Sequence, residues 1–113
     1  MGVLDELEQA VREVAERVGP SVVGIGRGQG RGSGVVLADG LVATNAHNLR
    51  GEETTVVFGD RGAVGRVAGV DVDADLAVIA VDTGGAPAVA WATDAQARVG
   101  AAVFALANPG GQL

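Results

Sequence analysis

The spacing of apolar side chains changes once along the chain, from a helical period to a short, strand-like one. Through residues 3–18 apolar side chains recur every three or four positions with charged residues between them, which predicts an amphipathic helix. They are Val3, Leu4, Leu7, Val11, Val14 and Val18. Gly19-Pro20 ends this helix, because proline disfavours helical geometry in the residue before it. We expect the helix to pack across the domain that follows.

Valine-rich segments punctuated by glycine follow the helix and predict six short β-strands. They cover residues 21–27, 32–38, 41–45, 53–59, 63–71 and 75–81. Asp39-Gly40 stands between the second and third segments and is a strong hairpin signal. Six short strands with tight connections are typical of an all-β fold, here a closed or nearly closed antiparallel barrel.

The residues after the sixth strand have a different composition. Glycine, proline and alanine with weak periodicity predict a linker, in which Trp91 is expected to be a packing anchor. The apolar segment 101–107 predicts one further strand. The predicted units are a helix at 1–19, a barrel at 20–82, and a linker with an extra strand at 83–113.

Composition narrows the possible chemistry. Hydrophobic residues make up 48% of the chain and aromatic residues only 3%, which predicts an aliphatic core, and the absence of cysteine excludes disulfides and thiolate sites. The net charge of -6 disfavours nucleic acid as a partner, and no segment approaches the ~20 apolar residues that cross a bilayer, so we expect no membrane partner. No signal-peptide pattern is visible, which indicates a cytoplasmic chain as it stands and leaves an extracytoplasmic parent open.

One histidine and three aspartates are the candidates for chemistry. His47 follows the third predicted strand, and Asp71, Asp73 and Asp75 alternate just before the sixth. On an extended backbone the three carboxylates would share one face, although solvated or turn-capping roles explain them equally well. An EF-hand calcium loop is disfavoured, because its further ligands and terminal glutamate are missing. We expect no metal and no cofactor.

The glycine-rich run at 24–32 fits neither the phosphate-binding loop nor the dinucleotide-binding pattern. It predicts a flexible hairpin between the first two strands. Two Arg-Gly pairs within it are weak indications of RNA binding in an acidic chain.

Taken in order, five motifs resemble trypsin-fold serine proteases, most closely those of the HtrA (Deg) branch. The first four resemble segments of the first barrel, and the fifth resembles the segment that opens the second barrel, so 101–107 would be the first strand of that second barrel. The motifs are Val18-Gly-Pro-Ser-Val-Val23, Gly32-Ser-Gly-Val-Val-Leu37, Leu41-Val-Ala-Thr-Asn-Ala-His47, Asp75-Leu-Ala-Val-Ile79 and Val103-Phe-Ala-Leu-Ala-Asn-Pro-Gly110. The resemblance implies a six-stranded Greek-key barrel with His47 as general base and Asp75 as its orienting carboxylate. Asn48 departs from the family, in which an apolar residue usually follows the histidine.

The resemblance also implies a nucleophilic serine in a Gly-Asn/Asp-Ser-Gly-Gly turn of a second barrel. The two serines of this chain, Ser21 and Ser33, lack that context. We therefore expect the first-barrel fragment of a serine endopeptidase, inactive alone, that acts on polypeptides only when a second barrel completes it. A non-catalytic, self-associating scaffold is the alternative, with the strand at 101–107 or the helix at 3–18 as the contact of a homo-oligomer.

Overall fold

The computed structural model of this protein describes residues 2–26, 32–93 and 98–107. Helix α1 spans Val3–Val18, and a short 3-10 turn, Gly19–Ser21, leads into the first strand. The strands are β1 Val22–Ile25, β2 Gly32–Ala38, β3 Leu41–Thr44, β4 Glu53–Phe58, β5 Arg61–Asp71 and β6 Leu76–Ala80. A second 3-10 turn, Ala46–Asn48, follows β3. The tip of the predicted glycine-rich hairpin lies outside the described residues.

The six strands form a closed antiparallel barrel, which confirms the predicted fold class. Their order around the barrel is β1-β2-β3-β6-β5-β4, and β1 closes it by pairing with β4. Because β3 pairs with β6 and not with β4, the chain crosses one end of the barrel after β3. The antiparallel pairing of β3 with β6 brings the residues that follow β3 next to those that precede β6.

The barrel interior is filled by aliphatic side chains, as the composition predicts. The fully buried ones include Val23, Val36, Val42, Val56 and Ile79, each with no exposed surface. Along β2, β3 and β6 buried positions alternate with more exposed ones, because successive side chains of a strand point to opposite faces, whereas β1 is buried along its whole length. The core therefore consists mainly of β-branched side chains, which are favoured in strands.

The first residues of the predicted linker are fastened to the barrel. The Ser21 hydroxyl donates to the Pro87 carbonyl oxygen at 2.8 Å, and the Val89 N–H donates to the Val36 carbonyl oxygen at 2.8 Å. The buried Thr83 hydroxyl lies 3.1 Å from an Asp39 carboxylate oxygen. Residues 83–89 thus follow the barrel wall before the chain leaves it.

Helix α1 has the predicted bounds but not the predicted packing. None of its residues is buried, and Leu4 keeps 74% of its surface exposed. The expectation that the helix packs across the barrel is therefore wrong for this structure. Among the described elements the helix is in repeated contact only with the 3-10 turn that follows it, so no strand covers its apolar side chains. No helix among the described residues is long and apolar enough to span a membrane.

Residues 101–107, predicted to be the first strand of a second barrel, are not paired with any strand described in this structure. These residues form no strand, and Val103 is 82% exposed. A strand requires a hydrogen-bonded neighbour, and a closed barrel offers no free edge to supply one. Trp91, predicted to be a packing anchor, is likewise 64% exposed.

Candidate active site

His47 lies at the rim of the barrel, immediately after a strand. β3 ends at Thr44, Asn45 precedes the 3-10 turn, and the turn presents the histidine ring to solvent, with 69% of its side chain exposed. The turn is closed by hydrogen bonds from the Asn48 N–H to the Asn45 carbonyl oxygen and from the Leu49 N–H to that of Ala46, both at 3.1 Å. A strand end followed by one tight turn thus sets the position of the imidazole.

Asp75 reaches the same rim from the other side. It is the last residue of the turn between β5 and β6, and its main chain has a φ of 55°, in the left-handed region. Its N–H donates to the Val72 carbonyl oxygen at 3.1 Å. Aspartate tolerates this region better than most residues, and such strained positions concentrate at functional sites.

The pairing of β3 with β6 brings the two residues into contact. Thr44 lies opposite Ala77 in this ladder, so the next residues of β3 meet the residues just before β6. His47 Nδ1 lies 2.6 Å from Asp75 Oδ2, and the His47 N–H donates to Asp75 Oδ1 at 2.9 Å. The carboxylate therefore binds both the ring and the main chain of one residue. Because an ionised carboxylate only accepts hydrogen bonds, this arrangement favours a proton on Nδ1 and leaves Nε2 as the free base.

These contacts change the electrostatics of the carboxylate. The hydrogen bond from the His47 main-chain N–H, followed by the bond from its ring, lowers the pKa of Asp75 below the usual 3.8. Both donors stabilise the charged form, which is the form that can hold an imidazolium. Near neutral pH the Asp75 carboxylate is therefore ionised, and it bonds to Nδ1 of the ring and not to Nε2.

The structure separates the three aspartates, which the sequence placed on one face. Asp71 is the last residue of β5, and its Oδ1 accepts the Ala74 N–H at 3.1 Å. Asp73 is exposed within the turn. A shared face requires an extended backbone, and here the strand ends at Asp71 and the turn redirects the other two, so the turn-capping alternative applies to Asp71. The structure brings Asp75 to His47 and gives Asp71 the role of capping the turn.

Asn48, the departure from the family pattern, fits a local polar network. Its Nδ2 donates to the Thr44 hydroxyl at 3.1 Å, and that hydroxyl donates to the Ser33 carbonyl oxygen at 2.7 Å. A side chain at Gly32 would overlap Asn48, so the glycine provides the space that the amide occupies. The polar residue is thus accommodated without displacing the histidine.

An open cavity of about 420 Å³ adjoins the pair. Leu49, Val70 and Val72 form its apolar part, and His47 and Asp75 line its polar side. Val70 and Val72 are both exposed. An apolar side chain of a bound ligand would fit beside the imidazole at this place.

The sequence did not indicate Asn45 as a site residue. Its Nδ2 donates to the Asp75 carbonyl oxygen at 3.1 Å. The one signal available was an asparagine directly before the turn that carries the histidine, and this signal alone predicts a helix cap.

The chain matches known proteins in both sequence and fold. Residues 32–113 match the trypsin-like peptidase domain family. HhoB of Synechocystis sp., named as a serine protease, is 39% identical over 86 residues, which are 74% of this chain and 21% of HhoB. The chain thus spans about a fifth of that relative.

Solved protease structures share the barrel. The Rv3671c protease in its inactive form matches with a TM-score of 0.77 and 34% identity, over 89% of this chain and 50% of that one. The serine endoprotease from Yersinia pestis matches with a TM-score of 0.69 and 25% identity, over 79% of this chain and 35% of that one. The chain thus covers half or less of each.

Proposed function

This chain belongs to the trypsin-like peptidase family, and from that premise we propose that it is the part of a serine endopeptidase that carries the general base. It forms a trypsin-like serine protease barrel. The observation that carries the proposal is the bond of 2.6 Å between His47 Nδ1 and Asp75 Oδ2, which leaves Nε2 free to accept a proton. The alternative of a non-catalytic, self-associating scaffold is not favoured, because the family match and this pair both support peptide hydrolysis.

In the proposed reaction His47 acts twice. Its Nε2 takes the proton of a serine hydroxyl while the serine oxygen attacks the peptide carbonyl carbon, and it then gives that proton to the departing amine. Asp75 stays ionised throughout, holds the ring in the required tautomer and stabilises the imidazolium. Water repeats the sequence on the acyl-enzyme and releases the acid.

The nucleophile and the oxyanion-binding N–H groups come, in this proposal, from a second barrel. Ser21 is buried, and its hydroxyl donates to Pro87 O. Ser33 lies inside β2, opposite Gly24 of β1. Neither position has the exposed turn that a nucleophile and its oxyanion hole require. We therefore expect that the 113-residue chain alone neither hydrolyses peptides nor reacts with a serine-directed phosphonate probe.

The proposed substrate is a polypeptide bound across the barrel rim. The cavity beside His47 would receive one of its side chains, and the walls at Leu49, Val70 and Val72 favour an apolar one. Binding there would place the scissile bond near Nε2. No cofactor or metal takes part in this mechanism.

A chimera tests the proposal. We suggest joining this barrel to the second barrel of the Rv3671c protease and measuring hydrolysis of a peptide substrate. His47→Ala is expected to lower kcat by about 10⁶-fold and Asp75→Asn by about 10⁴-fold, while the exposed neighbour Asp73→Asn should stay within about twofold. Equal activity of the chimera with and without His47 would contradict the assignment.

A further inference from the structure

Asn45 occupies the cap position of the 3-10 turn but does not cap it. Asparagine at such a position usually accepts a hydrogen bond from a main-chain N–H of the turn that follows. Here its side chain makes no cap bond, and its Nδ2 donates instead to the carbonyl oxygen of Asp75, 3.1 Å away on another strand connection. The amide is therefore directed to the partner of the histidine.

A hydrogen bond to the main chain of Asp75 has a large effect on the position of its carboxylate, because this main chain has an unusual conformation. Asp75 is the one residue other than glycine with a positive φ in the described part of the chain. Its carbonyl oxygen accepts two donors, Asn45 Nδ2 at 3.1 Å and the Ala46 N–H at 3.2 Å. Because φ and ψ set the direction of the Cα–Cβ bond, a return to ordinary backbone angles would turn the carboxylate away from His47.

We propose that Asn45 is a positioning residue, whose amide holds the left-handed main chain of Asp75 so that both carboxylate oxygens meet His47. The importance of this role for catalysis rests on the proposed function, whereas the hydrogen bonds themselves are present in this chain whatever its activity. Asn45 itself touches neither the imidazole ring nor the place of the reacting atoms in this assignment. It acts through Asp75, which in turn sets the tautomer of His47.

A second asparagine provides the matched control. Asn48 flanks His47 on the other side, and its Nδ2 donates to the Thr44 hydroxyl at 3.1 Å, not to Asp75. Removing either amide deletes the same chemical group close to His47, two residues before it at Asn45 and one residue after it at Asn48. Only the loss of the Asn45 amide should change the hydrogen bond between the Asp75 carboxylate and the imidazole.

The experiment uses the single histidine of the chain, which gives one unambiguous imidazole signal. Two-bond ¹H–¹⁵N spectra of labelled protein, recorded at a pH where the ring is neutral, report the ratio of the Nδ1–H to the Nε2–H tautomer. We expect Nδ1–H to predominate in the unmodified chain. Asn45→Ala and the similarly shaped Asn45→Leu should lower that ratio about fivefold, the value of one hydrogen bond of about 1 kcal/mol, and Asn48→Ala should preserve it.

Each result decides the question. Unchanged tautomer ratios in both Asn45 variants would overturn the proposal, as would a loss of the barrel in both variants, seen by circular dichroism, because Asn45 would then be a general structural residue. A fall in Asn48→Ala equal to that in the Asn45 variants would also overturn it. The measurement needs no hydrolysis, so an inactive chimera would count against the proposed function and leave this result standing.

Discussion

The barrel and the segments that flank it all contain many apolar side chains, but the barrel buries many of its own whereas the helix and residues 98–107 bury none. Inside the barrel, Val23, Val42 and Ile79 are completely buried. In the helix and in residues 98–107, Leu4 and Val103 expose most of their surface. The strands of the barrel hydrogen-bond to neighbours on both sides, whereas the flanks have no such neighbours among the described residues.

This difference shows that apolar spacing predicts the local shape of a segment but not its burial. A side chain is buried only where another surface packs against it, and a closed barrel pairs all of its strand edges with one another. In this comparison the candidate active site belongs with the barrel. His47 and Asp75 stand on connections that the barrel holds at both ends, so their geometry belongs to the barrel and not to the flanks.

The largest expected effect contrasts the core with the helix. Ile79→Ala should lower the free energy of unfolding by about 2–5 kcal/mol, because it leaves a cavity in a packed core. Leu7→Ala should change it by less than about 0.5 kcal/mol, because Leu7 keeps 48% of its surface exposed and lies outside the buried core. Urea denaturation measures both. A cost above about 1 kcal/mol for Leu7→Ala would show that the helix packs against the barrel in solution.

A medium effect tests how tightly the barrel wall is packed. A side chain added at Gly34 would come within 2.6 Å of the Ala43 carbonyl oxygen, which is main chain and cannot move aside. Gly34→Ala should therefore cost about 1–3 kcal/mol of unfolding free energy. Gly69→Ala is the control, since nothing lies within 4 Å of its added carbon. Similar urea midpoints for the two variants would contradict the packing described here.

The smallest expected effect on stability concerns Asp75 at the rim of the barrel. The pKa of Asp75 is lowered in the folded chain, chiefly by the His47 N–H, so the folded state binds its proton less readily than the unfolded state. The stability from this group is therefore complete above the usual pKa of 3.8 and lost as the pH falls through the lower folded value.

Acid denaturation of two variants isolates this contribution. Asp75→Asn should abolish it, and its stability should approach that of the unmodified chain as the pH falls. His47→Ala should abolish only part of it, because the main-chain N–H bond to Oδ1 remains. A constant gap between Asp75→Asn and the unmodified chain from pH 7 down to the acid transition would contradict this account.

Much of the barrel was predictable because its signals are local. The period of the helix, the valine-rich strands and the Asp39-Gly40 turn depend on neighbouring residues, and the structure confirms the helix and the six strands. Several strand ends differ slightly: the predicted fifth strand began at residue 63 and begins at Arg61 in the structure. Ends shift because the pairing partner decides where a ladder starts.

The motifs also predicted which two side chains would matter, but not how they meet. His47 and Asp75 were singled out by resemblance, and the structure places them in hydrogen-bond contact. The left-handed backbone of Asp75 and the bond from Asn45 have no local signature. The bond from Asn45 depends on the pairing of β3 with β6, two strands that are distant in the chain, and the left-handed residue closes the turn between β5 and β6.

By itself, then, the sequence determined the helix, the strands and the aliphatic core, since each depends on residue type and short-range spacing, and its resemblance to a known family indicated the candidate pair. The tertiary structure alone decided that the helix stays exposed, that residues 101–107 remain unpaired, and that Asn45 supports Asp75. The physical reason is that burial and hydrogen-bond partners depend on which surfaces the closed barrel leaves available, and closure is a property of all six strands together.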